Sequence, residues 1–487
     1  MSKRKNDFNY ISVALFVISA SIGLLTKLRT KSKESTSDDL DSPVSTRGLT
    51  TLTPPIPYLS KFLTCLENPY DANDNSKGYI AMCVAENKLI LDMLAARFMQ
   101  VGTATAAFSD SDVYCYNSFL GMPVAREAAA YFLARRFLYD NDTDLTPEEA
   151  LRAVQPKHVG LGAGAAPLLN SLFFALGNAS DACLIPAPYY AAFENDMSVM
   201  AGIVPIAVKQ NNAVAGPTNA ELDLAYSVAM TKGHTPKFVL LSNPNNPLGT
   251  IYRAEVLQRI VLWARSKGMH TIIDEIYALS THQANHHFQS IIRVLNNDLG
   301  NDVHMVWAFS KDFGASGIRA GIIYSQNETF IDALSTLNIF SCVSGPIQYM
   351  VAELLTDDVF VTNFLEEARE RIVHSYRICT AKLDEMVLPY VPAEAGLFVY
   401  VDFSSLLPEH TREWEETLSD LIFEQARIVL TPGTNQRDPK PGMFRICYTW
   451  VSPEVLSTAM ERLSKLVAKL RRLDWGDLSD RSSIGVL

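Results

Sequence analysis

The chain has no CxxC pair. Its seven cysteines, Cys65, Cys83, Cys115, Cys183, Cys342, Cys379 and Cys447, are odd in number and lie far apart. That pattern offers no zinc ribbon and no redox motif, and it reads as reduced thiols buried in a core. A basic surplus is missing too: 42 Lys/Arg stand against 53 Asp/Glu, a formal charge of −11. Nucleic acid is thereby excluded as a partner. The basic residues that exist are concentrated, with seven Lys/Arg and two Asp/Glu in residues 1–35. There is no internal repeat. One run without charge, Tyr10 to Leu25, spans 16 residues between Lys3-Arg4-Lys5 and Lys27, Arg29, Lys31 and Lys33. It falls short of the roughly 20 residues of a comfortable span, and reads as a membrane anchor or targeting leader. On that reading the remainder of the chain sits at a membrane, on the cytoplasmic side or in an organelle.

What is present is a long, ordinary globular body, 48% hydrophobic and 20% charged. We read a leader over residues 1–29 and a flexible Ser/Thr/Asp/Pro-rich linker over 30–57. Residues 58–99 and 341–473 are read as the two parts of a small α+β domain. Residues 100–340 form a large domain, and 474–487 a polar tail. Short apolar runs at 182–185, 237–241, 270–273, 303–308 and 322–324 read as strands. Helical stretches such as Arg253 to Ser266 separate several of them, which predicts an α/β fold with a mainly parallel sheet between helices. A helix is expected from Val124 to Leu138 and another from Val361 to Met386. Strands are expected at Leu397 to Val401 and Phe444 to Tyr448.

The polar residues with chemistry in them fall at strand ends, where open α/β sheets bind ligands. Lys311 follows the run 303–308, and burial there would lower its pKa and free a nucleophilic, Schiff-base-forming amine. Arg319, eight residues on, suits a phosphate through its planar fork. Asp274 closes the strand TIID and leads into Glu275-Ile276-Tyr277; Asn246 lies in the turn after KFVLL. Gly162-Ala163-Gly164-Ala165 opens a helix whose free N–H groups can hold phosphate. These are the groups pyridoxal 5′-phosphate requires: an amine for its aldehyde, an acid for its pyridine nitrogen, donors for its phenolate oxygen and an anion seat for its phosphate. Tyr190 offers a ring to stack on the pyridine face.

Six motifs stand in one order: Ala85-Glu86-Asn87, PAPYYAAF (186–193), NPNNPLGT (243–250), DEIY (274–277), SKDFGASGIRAG (310–321) and Phe444-Arg445-Ile446-Cys447-Tyr448. In them the chain resembles fold-type I pyridoxal enzymes, the aminotransferase class I/II superfamily, and within it the 1-aminocyclopropane-1-carboxylate (ACC) synthase-like subgroup. The resemblance implies that Lys311 carries the cofactor and Asp274 pairs with its pyridine nitrogen. It implies that Asn246 and Tyr277 bind the phenolate oxygen, and that Arg319, Ser310, Gly164 and Ala165 border the phosphate. Arg445 would take the substrate α-carboxylate and Glu86 would face the substrate's amino side. It also implies a homodimer. Ala308 stands where the family often has serine, and Ala165 where it often has threonine or serine. Phe119 occupies the place of the tyrosine that reaches across the dimer in ACC synthases, with Tyr114 and Tyr116 nearby. The expected reaction is transamination of an α-amino acid. ACC formation from S-adenosylmethionine, C–S lysis and a tethered pseudoenzyme stay open as alternatives.

Overall fold

The structure is a computed structural model. It describes residues 58–472 apart from 101, 140–142, 144 and 284–287, together with 44, 45, 48, 49, 51 and 52. Tyr10–Leu25 lies outside these residues, and so do the polar tail and most of the linker. Among the described residues no helix is long and apolar enough to cross a membrane.

Thirteen strands are found among the described residues. β1 (Ile80–Ala81) pairs with β11 (Ile428–Val429). β2 (Val159–Gly162), β3 (Ala182–Pro186), β4 (Val204–Val208), β5 (Pro236–Ser242), β6 (His270–Asp274), β7 (Val303–Ala308) and β8 (Gly321–Ser325) form one sheet in the order β2-β8-β7-β6-β5-β3-β4. All neighbours from β7 to β4 run parallel; β8 alone runs against both of its neighbours. β7 and β8 are buried at every position, as a sheet covered on both faces demands. Two apolar layers flank it. One contains Trp307, Tyr324 and Phe132, the other Phe173, Phe193 and Phe238.

β9 (Tyr390–Val391), β10 (Phe398–Asp402), β12 (Thr431–Pro432) and β13 (Met443–Cys447) form a separate antiparallel sheet in the order β12-β13-β10-β9. The helix Pro453–Leu470 packs over it with a core of its own. The helix Asp358–Glu385 joins the two bodies. Val361, Phe364 and Ala368 belong to the large sheet's core, whereas Ile372, Cys379 and Leu383 belong to the small one. Residues 345–368 therefore pack with the large body, which corrects the expectation that everything from 341 belongs to the small domain. The cause is local: Val351, Ala352, Leu354 and Leu355 of the helix Gly345–Leu355 are buried in the same core as the helix Pro123–Leu133. That earlier helix ends at Leu133 and continues as one wider turn over Ala134–Leu138, close to the expected limit.

Candidate active site

Topology gathers the site. β2, β3, β5, β6 and β7 all end on one side of the sheet; β3, β5, β6 and β7 lead to Tyr190, Asn246, Asp274 and Lys311 there, and β2 leads into the helix start at Gly164-Ala165. Because β8 is antiparallel, its beginning lies on that side as well, with Gly321 opposite both Gly162 and Ala308. Arg319 therefore reaches the cluster although it precedes a strand. Ala165, Tyr190, Asn246, Asp274, Tyr277, Ser310, Lys311 and Arg319 line one cavity of about 210 Å³.

Lys311 sits in the single turn Phe309–Asp312. Its ammonium donates to Ala85 O at 2.6 Å. Burial lowers its pKa, the negative charge of Glu86 opposes that shift, and Arg445 adds to it. The turn is fixed from behind by Asp312, which accepts from Ser280 Oγ at 2.6 Å, Trp307 Nε1 at 2.8 Å and Leu279 N at 3.1 Å. Gly314 closes it at φ +63°, where a Cβ would fall 2.5 Å from Asn87 O, so no larger residue fits.

Asp274 is buried, and the only described donor to its carboxylate is Ile276 N–H at 3.2 Å. Desolvation, reinforced by the charge of Asp196, pushes its pKa up to about 7. An acid so placed is suited to a ligand that brings an N–H or a positive charge. Tyr277 is fully enclosed, its ring edge-on to Phe398. The Asn246 carbonyl oxygen accepts from Arg445 Nη1 at 2.8 Å, and among the described residues its amide N–H groups have no acceptor, which suits them to one in the cavity.

Arg445 lies on β13, directly across from Thr431 and Tyr400. Its guanidinium is buried and bonds only neutral acceptors: Asn246, Cys83 O at 2.7 Å and Thr431 Oγ1 at 3.3 Å. The Phe398 ring lies 5.1 Å away, and Nε has no partner among the described residues. A buried cation without an acid is costly unless an anion arrives.

At the other end of the cavity, the helix Ala165–Leu176 begins without a side-chain cap. Gly164 precedes it at φ +105°, and a Cβ there would stand 2.8 Å from Arg319 Nη2. Arg319 donates to Ala163 O at 2.8 Å and Ser316 O at 2.9 Å, which turns its fork toward the open helix end. Uncapped N–H groups and a guanidinium are the groups an anion seat needs, and Ser310 lines the same cavity. The alanines at 165 and 308 remove hydroxyls from this end, and Ala308 is instead buried in the small body's core.

Glu86 lies outside the cavity lining and accepts from Ser316 Oγ, which does line it. Tyr190 lines the cavity and packs edge-on against Phe193 at 5.3 Å. Tyr114 donates to Phe108 O at 2.6 Å, and Tyr116 is 97% exposed. Three residues at the site were not legible beforehand. Thr431 holds Arg445, and Tyr58 bonds Thr431 from the start of the helix Leu59–Glu67. Asp196 lines the cavity from the helix Phe193–Ser198. None stands in a motif; only the fold brings them in.

The aminotransferase class I and II family matches residues 85–463. The chain belongs to that family. It is 32% identical over 418 residues to 1-aminocyclopropane-1-carboxylate synthase 8 of Arabidopsis thaliana, covering 82% of this chain and 86% of the relative. To 1-aminocyclopropane-1-carboxylate synthase 2 of Oryza sativa subsp. japonica it is 32% identical over 411 residues, covering 82% of each. Among solved structures, aspartate aminotransferase from Thermus thermophilus with maleate superposes with a TM-score of 0.71. That pair is 22% identical and covers 87% of this chain and 100% of the other, a likeness of fold. The chain is thus a fold-type I, pyridoxal 5′-phosphate-dependent enzyme of amino-acid chemistry, of the ACC synthase-like subgroup. The cavity suits that cofactor by its donor set: an amine of lowered pKa, an acid in need of a partner and an anion seat at an uncapped helix.

Proposed function

We propose that the enzyme removes the Cα proton of an α-amino acid and that its overall reaction is transamination. The observation that carries this is Arg445, a buried guanidinium with no described acid beside it, which stands behind the cavity lining, bonded to Asn246 of the cavity that also holds Lys311 and Asp274. The bound cofactor supplies an electron sink for the charge left on Cα. The rest is done by the chain. Arg445 holds the substrate carboxylate bidentately and orients Cα. Lys311, once free, takes the proton as a neutral amine, for which burial prepares it. Asp274 keeps a proton on the pyridine nitrogen. Tyr277 and the Asn246 amide donate to the ring's oxygen, and Arg319, Ser310, Gly164 and Ala165 hold the phosphate end.

A second reading, ACC formation from S-adenosylmethionine, is favoured by Glu86. Its carboxylate is tied to Ser316 at the cavity edge and acts on Lys311 electrostatically. Supplying the enzyme with amino acid plus 2-oxoacid, or with S-adenosylmethionine alone, separates the two. A new amino acid with its 2-oxoacid supports transamination, methylthioadenosine supports the second reading, and a 2-oxoacid released without a co-substrate marks C–S lysis. Borohydride reduction of the loaded enzyme should fix the cofactor on the peptide containing Lys311, and Lys311→Ala should abolish that adduct while the protein stays folded. An adduct on another lysine would refute the assignment.

Homodimer formation and attachment to a membrane through residues 10–25, with the catalytic body on the cytoplasmic side, belong to the same proposal. The second rests on sequence alone. Sedimentation of the full chain with vesicles, compared with residues 56–487, tests it; equal partition of both would count against the anchor.

A further inference from the structure

Asp196 stands in the cofactor cavity, but the chemistry above gives it no work. It lines the same cavity as Asp274, Lys311 and Tyr190. Its helix, Phe193–Ser198, is clamped on several sides. Phe193 packs under Tyr190, and Asn170 Nδ2 donates to Asp196 O at 3.1 Å. Glu194 is held away from the cavity by Arg437, at 2.6 and 2.7 Å, and by Tyr189 Oη at 2.7 Å. Asp196 is therefore presented in a fixed position. No hydrogen bond to its carboxylate is found among the described residues, although its backbone is fully engaged. Burial pushes its pKa up to about 7, and its charge in turn raises Asp274 and Tyr190.

We propose that Asp196 is a second acid for the cofactor ring, a positioning residue whose charge acts through Asp274 to hold the proton on the pyridine nitrogen. Two carboxylates sharing one low-dielectric cavity repel each other until a cation enters between their fields. A protonated ring is such a cation. Asp274 would hold its N–H, and the charge of Asp196 would strengthen the field there. The other ionisable groups in or against the cavity are Lys311, Arg319, Arg445, Tyr58, Tyr190 and Tyr277, with Glu86 and Asp312 behind the lysine turn. The helix Ala165–Leu176 and β4, which pack against the helix of Asp196, add no ionisable side chain.

The test uses the full chain with its cofactor removed, in wild type, Asp196→Asn and Asp196→Glu. Calorimetric titration with pyridoxal 5′-phosphate from pH 6 to 9 measures affinity, and thermal unfolding of the unloaded proteins is followed over the same range. The asparagine variant should bind about tenfold more weakly above pH 7, one pKa unit's worth of interaction, and match wild type near pH 6, where Asp196 is neutral. Unloaded, it should unfold at a higher temperature than wild type above pH 7, because a half-buried charge with no described partner has gone. The glutamate variant should recover most of the affinity. Equal affinity of wild type and asparagine variant across the range would overturn the proposal. So would an unloaded asparagine variant that is less stable at every pH, the mark of a merely structural residue. Wild-type binding by itself tests the cavity, and the difference between the proteins tests Asp196.

Discussion

Arg445 shows at the scale of one residue how a site differs from a core. Its three acceptors are neutral, its Nε is unpartnered and it is buried, so the folded state carries a cost that only an anion removes. Arg445→Lys keeps the charge but loses the planar fork. Its kcat/KM for the amino acid should fall about 100-fold, mostly through KM, while cofactor uptake is unchanged. Steady-state kinetics beside a cofactor titration checks this, and an unaltered KM would exclude Arg445 from carboxylate binding. Arg445 was legible in the sequence because an arginine inside the apolar strand FRICY is conspicuous by type. Lys311, Asp274, Asn246, Tyr277 and Arg319 were legible because each stands in a motif at a strand end. Asp196, Thr431 and Tyr58 were not, since an acid on a helix, a threonine on a strand and a tyrosine beside a helix start are commonplace until the fold assembles them.

Elements were legible where apolar runs were unbroken, and less so where glycine, proline or shortness interfered. β2 reads VGLG, two glycines in four residues, and β4 contains Pro205, which strands admit at an edge. β4 is an edge strand of the sheet, so the proline is explained only once the order is known. The reversed direction of β8 left no mark on its composition. Within the sheet, β6 and β7 set His270 beside His304, with ring nitrogens 3.1 Å apart and His304 also bonded to Ser325 Oγ at 2.8 Å. Burial lowers their pKa values to about 4 and about 3, against 6.5 for free imidazole. Between pH 6.5 and 4 the unfolded chain therefore binds more protons than the native one, and this pair's contribution to stability is lost as pH falls. Asp274, Glu275 and Asp312, with raised values of about 7, 8 and 7, act in the opposite sense. The histidine contribution is thus read as a difference: His270→Asn should lose less stability than wild type between pH 6.5 and 4.5 in urea melts. Parallel pH slopes for the two proteins would mean that the histidines do not titrate in this way.

At the scale of the whole molecule, the anion seat adjoins a surface that asks to be covered. Phe108, Tyr114, Tyr116, Ile339 and Phe340 are exposed, Tyr116 at 97% and Phe340 at 89%. Their segments are bound together, since Asn338 Nδ2 donates to Phe119 O at 2.9 Å and to Leu161 O at 2.6 Å. The same surface reaches the phosphate end, where Ala163 N donates to Ser341 O at 2.7 Å. Apolar side chains gathered this way mark a protein interface, and a second copy of the chain is the occupant the family resemblance implies. Phe340→Asp places a charge in that patch without touching a buried side chain, so folding should survive while association fails. Sedimentation should give a dimer for residues 56–487 and a monomer for the variant. Because the interface borders the anion seat, the monomer should also hold pyridoxal 5′-phosphate more weakly, by about tenfold for one lost contact to a charged group. A monomer that binds the cofactor as tightly as the dimer would show that each seat is complete within one chain, and that the hydroxyls removed at Ala165 and Ala308 are not replaced from across the interface.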